Sequence, residues 1–176
     1  MSVTQALLSR EATPLDIRES FNGAGVYCVY YTGNFPAYRA ITAANQKGKF
    51  SLPIYVGKAI PKGSRKGQIS DVSETSFSLY ERLSEHAESI EAAKNLDLKD
   101  FFCRYLVVED VWIPLGESLL ISRYSPLWNF KLDGFGNHDP GSGRHKQKRS
   151  PWDVVHPGRL WATRLQPHPK TAAELL

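Results

Sequence analysis

Cysteine is scarce: Cys28 and Cys103 are the only two among 176 residues. Both lie inside apolar, strand-like runs, and no C-x-x-C pair occurs. That argues against a disulfide framework and against a structural zinc site, and predicts two buried free thiols suited to a reducing compartment. Long hydrophobic runs are missing as well. No stretch approaches the length a membrane helix needs, and the N-terminus lacks the layout of a secretory signal. A soluble, cytoplasmic protein without a membrane partner is expected. Neither sign of charge dominates: 22 Lys and Arg against 18 Asp and Glu leave a net charge of +4, with an isoelectric point near 9.1. Such mild basicity favours a polyanionic partner without requiring one. Internal repeats are absent.

A hydrophobic content of 41% is enough for a real core in one domain. The chain divides into an arm over 1–20, a domain over 21–165, and a Pro- and His-containing tail over 166–176 that is expected to fray. Polar inserts interrupt the domain at 33–52, 60–75 and 133–151. Strands are predicted over 25–32, after Pro53, and over 101–109, and a last one beginning at Trp128-Asn129-Phe130. Short helical turns are expected near 6–8 and 15–17, and helices over 38–46, 113–124 and 160–164. Another runs over 78–93, opened by the capping-box pattern Ser78-Leu79-Tyr80-Glu81.

Several residues stand out of place on these elements. Gly25-Val26-Tyr27 and Ile54-Tyr55-Val56-Gly57-Lys58 are two apolar runs, each with a tyrosine and a glycine. Alternation lets the two tyrosines meet on one sheet face, and Gly57 has no side chain to obstruct a bulky phosphate. At about 100° per residue, His86 falls within the stripe Leu79, Leu83, Ala87 and Ile90, and Arg82 lies one turn away at its border. Glu117 sits inside the apolar arc Ile113, Leu120, Ile121 and Tyr124. A carboxylate there needs a partner: an arginine such as Arg82 or Arg104, a lysine, or a divalent cation. Taken singly, each of these residues is more often structural. Taken together, they supply cations for a phosphate, a metal ligand and titratable hydroxyls. Two basic stretches could contact bases or backbone: Lys62, Arg65, Lys66 and Gln68 in one, and Asn137, His138, Arg144, His145, Lys146, Lys148 and Arg149 in the other.

In order, Gly25-Val26-Tyr27, Tyr55-Val56-Gly57-Lys58, Glu81-Arg82-Leu83-Ser84-Glu85-His86, Gly116-Glu117 and Pro126-Leu127-Trp128-Asn129 resemble the motifs of the GIY-YIG nuclease superfamily. Asp133-Gly134-Phe135-Gly136-Asn137-His138 and Trp152-Asp153-Val154-Val155-His156-Pro157-Gly158-Arg159 resemble its type II restriction branch, specifically enzymes that cut CCGCGG. The long gap between the tyrosine motifs, and a histidine at position 86 where many members have tyrosine, also match that branch. The resemblance implies an α+β fold, a small central antiparallel sheet flanked by helices with inserted DNA-contacting loops. It also implies a homodimer that hydrolyses both strands of double-stranded DNA, alongside a cognate DNA methyltransferase acting on the same site without direct contact. By the same resemblance Glu117 is the protein ligand to one Mg²⁺, and the base is either Tyr27, orienting or deprotonating the attacking water with help from His86, or His86 directly. Arg82 steadies the charged phosphate, Tyr55 and Lys58 hold the phosphate or the water, and Asn129 hydrogen-bonds Glu117 or a tyrosine. The rival readings are a repair-type incision nuclease of the same superfamily and a non-cleaving DNA-binding module.

Overall fold

The strands form where valine, tyrosine and phenylalanine concentrate. In the computed structural model, which describes residues 2–61 and 76–176, these are β2 (Gly25–Tyr31), β3 (Tyr55–Ala59) and β4 (Phe101–Val107), with a short β1 (Thr13–Pro14). All pairings are antiparallel, in the order β1-β4-β2-β3. Every residue of the inner strand β2 is buried. Its alternate side chains feed two cores: Tyr27, Val29 and Tyr31 on one face, and Val26, Cys28 and Tyr30 on the other. Helix α3 (Ser78–Ala92) covers the first face through Leu79, Leu83 and Ile90. Helix α4 (Ile113–Tyr124) covers the second through Ile113 and Leu120, beside α1 (Val3–Leu8). An α2 helix (Arg39–Asn45) crosses the first insert, and α5 (Pro151–Val155) and α6 (Ala172–Leu175) follow late in the chain. This is the α+β arrangement the motifs implied. No helix among the described residues is long and apolar enough to cross a membrane.

Four local expectations are corrected. Ser78 does not cap α3: the helix begins one residue earlier than the pattern suggests, Phe77 stands at the cap, and the Ser76 hydroxyl accepts the Ser78 N–H at 3.1 Å. Residues 15–17 are not a helical turn, because the Leu15 N–H is drawn to the Phe101 carbonyl and its side chain into the core. Trp128-Asn129-Phe130 starts no strand. Leu127–Asn129 is a single 3-10 turn; the Asn129 carboxamide accepts from the Val56 N–H at 2.9 Å and donates to its carbonyl at 2.8 Å. One side chain thereby satisfies the outward backbone groups of an edge strand, where another strand would otherwise have paired. The tail does not fray, since a Thr171–Glu174 capping box starts α6, and Ala172 and Leu175 pack on the main core.

Beneath the first face a polar chain runs from the core out to the exposed Asn95. The Trp128 indole donates to the Tyr38 hydroxyl at 3.0 Å, which donates to His156 Nε2 at 2.5 Å, and His156 Nδ1 donates to Asn95 Oδ1 at 2.9 Å. This arrangement needs a neutral ring, and burial pushes the His156 pKa down to about 3. The unfolded chain takes up protons below about 6.5 that the folded chain refuses, so stability falls with pH through that window. Lowering pH from 7.5 to 5 is expected to cost about 2 kcal/mol through His156 alone. His86, also held well below its ordinary value by burial, acts in the same direction. Thermal melts at the two pH values measure the effect; an unchanged melting temperature would contradict it.

Candidate active site

Register brings the first half of the site together. Tyr27 lies opposite Gly57, and Val29 opposite Tyr55, so both tyrosines rise from the same sheet face with ring centroids 6.2 Å apart. A Cβ at Gly57 would come within 2.4 Å of the Tyr27 hydroxyl, so glycine there makes room for the phenol to lie across the edge strand. Helix α3 presents Arg82 and His86, one turn apart, to the same spot. The Tyr27 hydroxyl and His86 Nε2 are hydrogen-bonded at 2.6 Å inside the core. Arg82 interacts with both phenols, donates to the Gly136 carbonyl at 2.6 Å and to Glu85 at 3.0 Å, and hydrogen-bonds His138 Nε2.

Electrostatics sets the resting protonation. Burial, then the neighbouring Tyr55, raises the Tyr27 pKa well above its ordinary value, and Arg82 opposes the rise. Burial lowers that of His86, reinforced by the positive charge of Arg82. The resting pair is therefore a neutral phenol donating to a neutral imidazole. Tyr55 is also raised by burial, against the pull of Arg82.

The second half wraps around the edge strand. Lys58 stands opposite Val26 and so belongs to the other sheet face, where it meets Glu117 of α4 in an ion pair of 2.7 Å. Glu117 still acts electrostatically on Tyr27 and Tyr55, because β3 is the outer strand and the two faces join around it. Of the expected partners the structure supplies a lysine, and the pairing with Arg82 or Arg104 is corrected. Arg104 is committed to the Tyr30 hydroxyl and the carbonyls of Arg10 and Phe50, and Arg82 to the partners above. Lysine takes their place because its parity on β3 points it at the helix. Glu117 is 19% exposed and Lys58 36%, which makes them the water-facing rim of the site. No group of three or more His, Cys, Asp or Glu side chains able to cage a metal occurs among the described residues. A lone, partly exposed carboxylate fits Mg²⁺, which keeps several waters and takes about one or two carboxylates.

Tyr27, Tyr55, Arg82 and His86 thus converge, with Lys58 and Glu117 beside them. Asn129 does not join them as foreseen: its carboxamide is occupied by Val56, not by Glu117 or a tyrosine. Of the second basic stretch, His138 is drawn into the site against Arg82. Asn137 is exposed next to it and lends its carbonyl to Arg159. Arg149 is fastened to the carbonyls of Ala162 and Thr163, so it is a structural clamp in this fold. Arg144, Lys146 and Lys148 remain exposed, and His145 faces Asp139 at 3.7 Å. Lys62, Arg65, Lys66 and Gln68 lie outside the described residues. Sequence reasoning missed Phe135, whose ring stacks on His86 at 4.3 Å, and Gly136, whose carbonyl takes Arg82.

Paired phenols, a guanidinium and a partly exposed carboxylate, gathered on one edge of a small antiparallel sheet, are the chemistry of a phosphodiester nuclease. Residues 19–176 match the family model described as the Eco29kI GIY-YIG domain. The chain belongs to that family, a nuclease domain of the restriction endonuclease type that takes DNA as substrate. A search of curated proteins gave no match.

Proposed function

We propose that this protein is a type II restriction endonuclease that hydrolyses both strands of a short GC-rich palindrome, CCGCGG by its resemblance, in a Mg²⁺-dependent reaction. The observation that carries the reading is the buried Tyr27–His86 hydrogen bond beside Arg82, within reach of the field of Glu117. Mg²⁺ held by Glu117 and water would supply Lewis acidity to a phosphate oxygen and the leaving 3′ oxygen. The remaining steps fall to the chain's own groups. Arg82 lies against both phenols; moving its planar fork onto a phosphate stabilises charge there and opens Tyr27 to water. Tyr27 then orients the attacking water and passes its own proton to His86 Nε2 as it takes one up. Tyr55 and Lys58 hold the same phosphate. Arg144, Lys146 and Lys148 are the groove and backbone contacts, since among the described residues nothing ties their side chains down as it does Arg149. A palindrome calls for a two-fold homodimer, and host DNA would be guarded by a methyltransferase acting on the same sequence.

A plasmid digest with and without Mg²⁺ is the test. Discrete bands only with Mg²⁺ are expected, and sequencing the fragment ends gives the site. Slow nicking of damaged DNA alone would instead mark an incision enzyme, and intact plasmid in both lanes a non-cleaving module.

A further inference from the structure

Arg159 is a buried cation that the reaction scheme leaves unused. It is 4% exposed, with its guanidinium between the rings of Trp152 at 4.5 Å and Trp161 at 4.6 Å. Nε donates to Asp153 at 2.8 Å, and the two terminal nitrogens donate to the carbonyls of Phe135 at 3.0 Å, Asn137 at 3.2 Å and Gly134 at 2.9 Å. Burying an ion pair stabilises a fold no better than a well-packed apolar plug would. What the arginine adds is geometry, because a planar fork of five N–H donors holds Asp153 and three carbonyls of one turn at once, and a lysine ammonium has only three donors on one atom.

That turn touches the site twice. Phe135 lays its ring on His86 with 17° between the planes, and the Gly136 carbonyl receives Arg82. There is little slack: a Cβ at Gly136 would stand 2.5 Å from the Tyr55 hydroxyl, and one at Gly134 2.1 Å from the Ser150 side chain. Any shift of the turn therefore moves the ring that receives the Tyr27 proton and the fork that meets the phosphate. We propose that Arg159 is a positioning residue for phosphodiester hydrolysis, holding residues 134–137 so that His86 and Arg82 are aimed at Tyr27 and the phosphate. The inference rests on the nuclease reading above.

The test uses the full chain with saturating enzyme, Mg²⁺ and a duplex containing CCGCGG, and reads the single-turnover rate constant. Duplex affinity is measured separately by gel shift without Mg²⁺. Arg159→Lys is expected to slow the single-turnover step about 10- to 100-fold, the scale of a 1 Å misplacement, with affinity unchanged within about threefold. Phe135→Leu keeps the turn and removes only the ring under His86, so a smaller loss is expected, and the double variant should fall no further than Arg159→Lys alone. A purely structural role would reduce the folded fraction and leave the rate constant of the folded enzyme untouched. A rate constant within about twofold of the parent for Arg159→Lys overturns the proposal; if that variant does not fold, the same result for Phe135→Leu does so. An inactive parent would sink the nuclease reading itself, and this inference with it.

Discussion

Glu117→Gln is expected to lower Mg²⁺-dependent cleavage by about 10³-fold or more, while the protein stays folded and binds its duplex at least as tightly. Glutamine keeps the shape and removes the charge that would hold the cation. The loss to the fold is small because the Lys58 partner is 36% exposed and water takes over its solvation. Pairs of that kind contribute about 0–1 kcal/mol. Removing a negative charge from a surface that meets phosphates also weakens repulsion, so affinity should hold or rise. Three measurements separate the roles: a thermal melt, a gel shift without Mg²⁺, and a single-turnover rate with it. An unfolded variant would show that the carboxylate serves mainly as a structural ion pair with Lys58. A folded variant that cuts at the parent rate would remove the metal-ligand role altogether.

Strands β2, β3 and β4 and both long helices were legible in the sequence because their signals are local. Aromatic and β-branched runs mark the sheet, and an apolar stripe at helical spacing marks α3 and α4. Parity also carried far enough to put Tyr27 and Tyr55 on one face. What stayed hidden depends on register or on side chains standing in for backbone. Glu117 visibly needed a cation, yet Lys58 becomes the answer only once β3 is set against β2 so that position 58 faces the helix. Asn129 ends the sheet by imitating a strand with its carboxamide, which leaves no periodic trace. Arg159 follows a Pro-Gly pair, and only the fold shows it between two tryptophans. The Ser78 and Thr171 patterns are the same kind of motif, and only the second forms a capping box, because a cap depends on where the helix actually starts. The cleanest local signal was thus right about the helix and wrong about its end.

Tyr27→Phe should cost about 10²- to 10⁴-fold in the single-turnover rate, the range for a lost general base, with duplex affinity unchanged. The phenol is the only hydroxyl hydrogen-bonded to His86 among the described residues, so without it the imidazole has no route to the attacking water. Ordinary phenol and imidazole pKa values already stand about 3.5 pH units apart, on the order of 5 kcal/mol against proton transfer. Burial pushes the two further apart, and Arg82 works in the opposite direction on Tyr27. Direct transfer in the resting protein is therefore slow, and bound substrate must supply the rest by placing a proton-donating water against Tyr27. The pH dependence follows in sign. His86 is held below its ordinary value, so it stays neutral and able to accept a proton as pH falls through about 6.5. No acid limb from this histidine is expected there. Phenylalanine leaves His86 Nε2 without its donor, a buried loss of about 1–3 kcal/mol, visible as a lower melting temperature. If the two residues act in series, His86→Ala added to Tyr27→Phe slows the reaction no further. Multiplying losses in the double variant would mean that His86 takes the water proton independently, and a Tyr27→Phe protein cutting near the parent rate would take the tyrosine out of the chemistry.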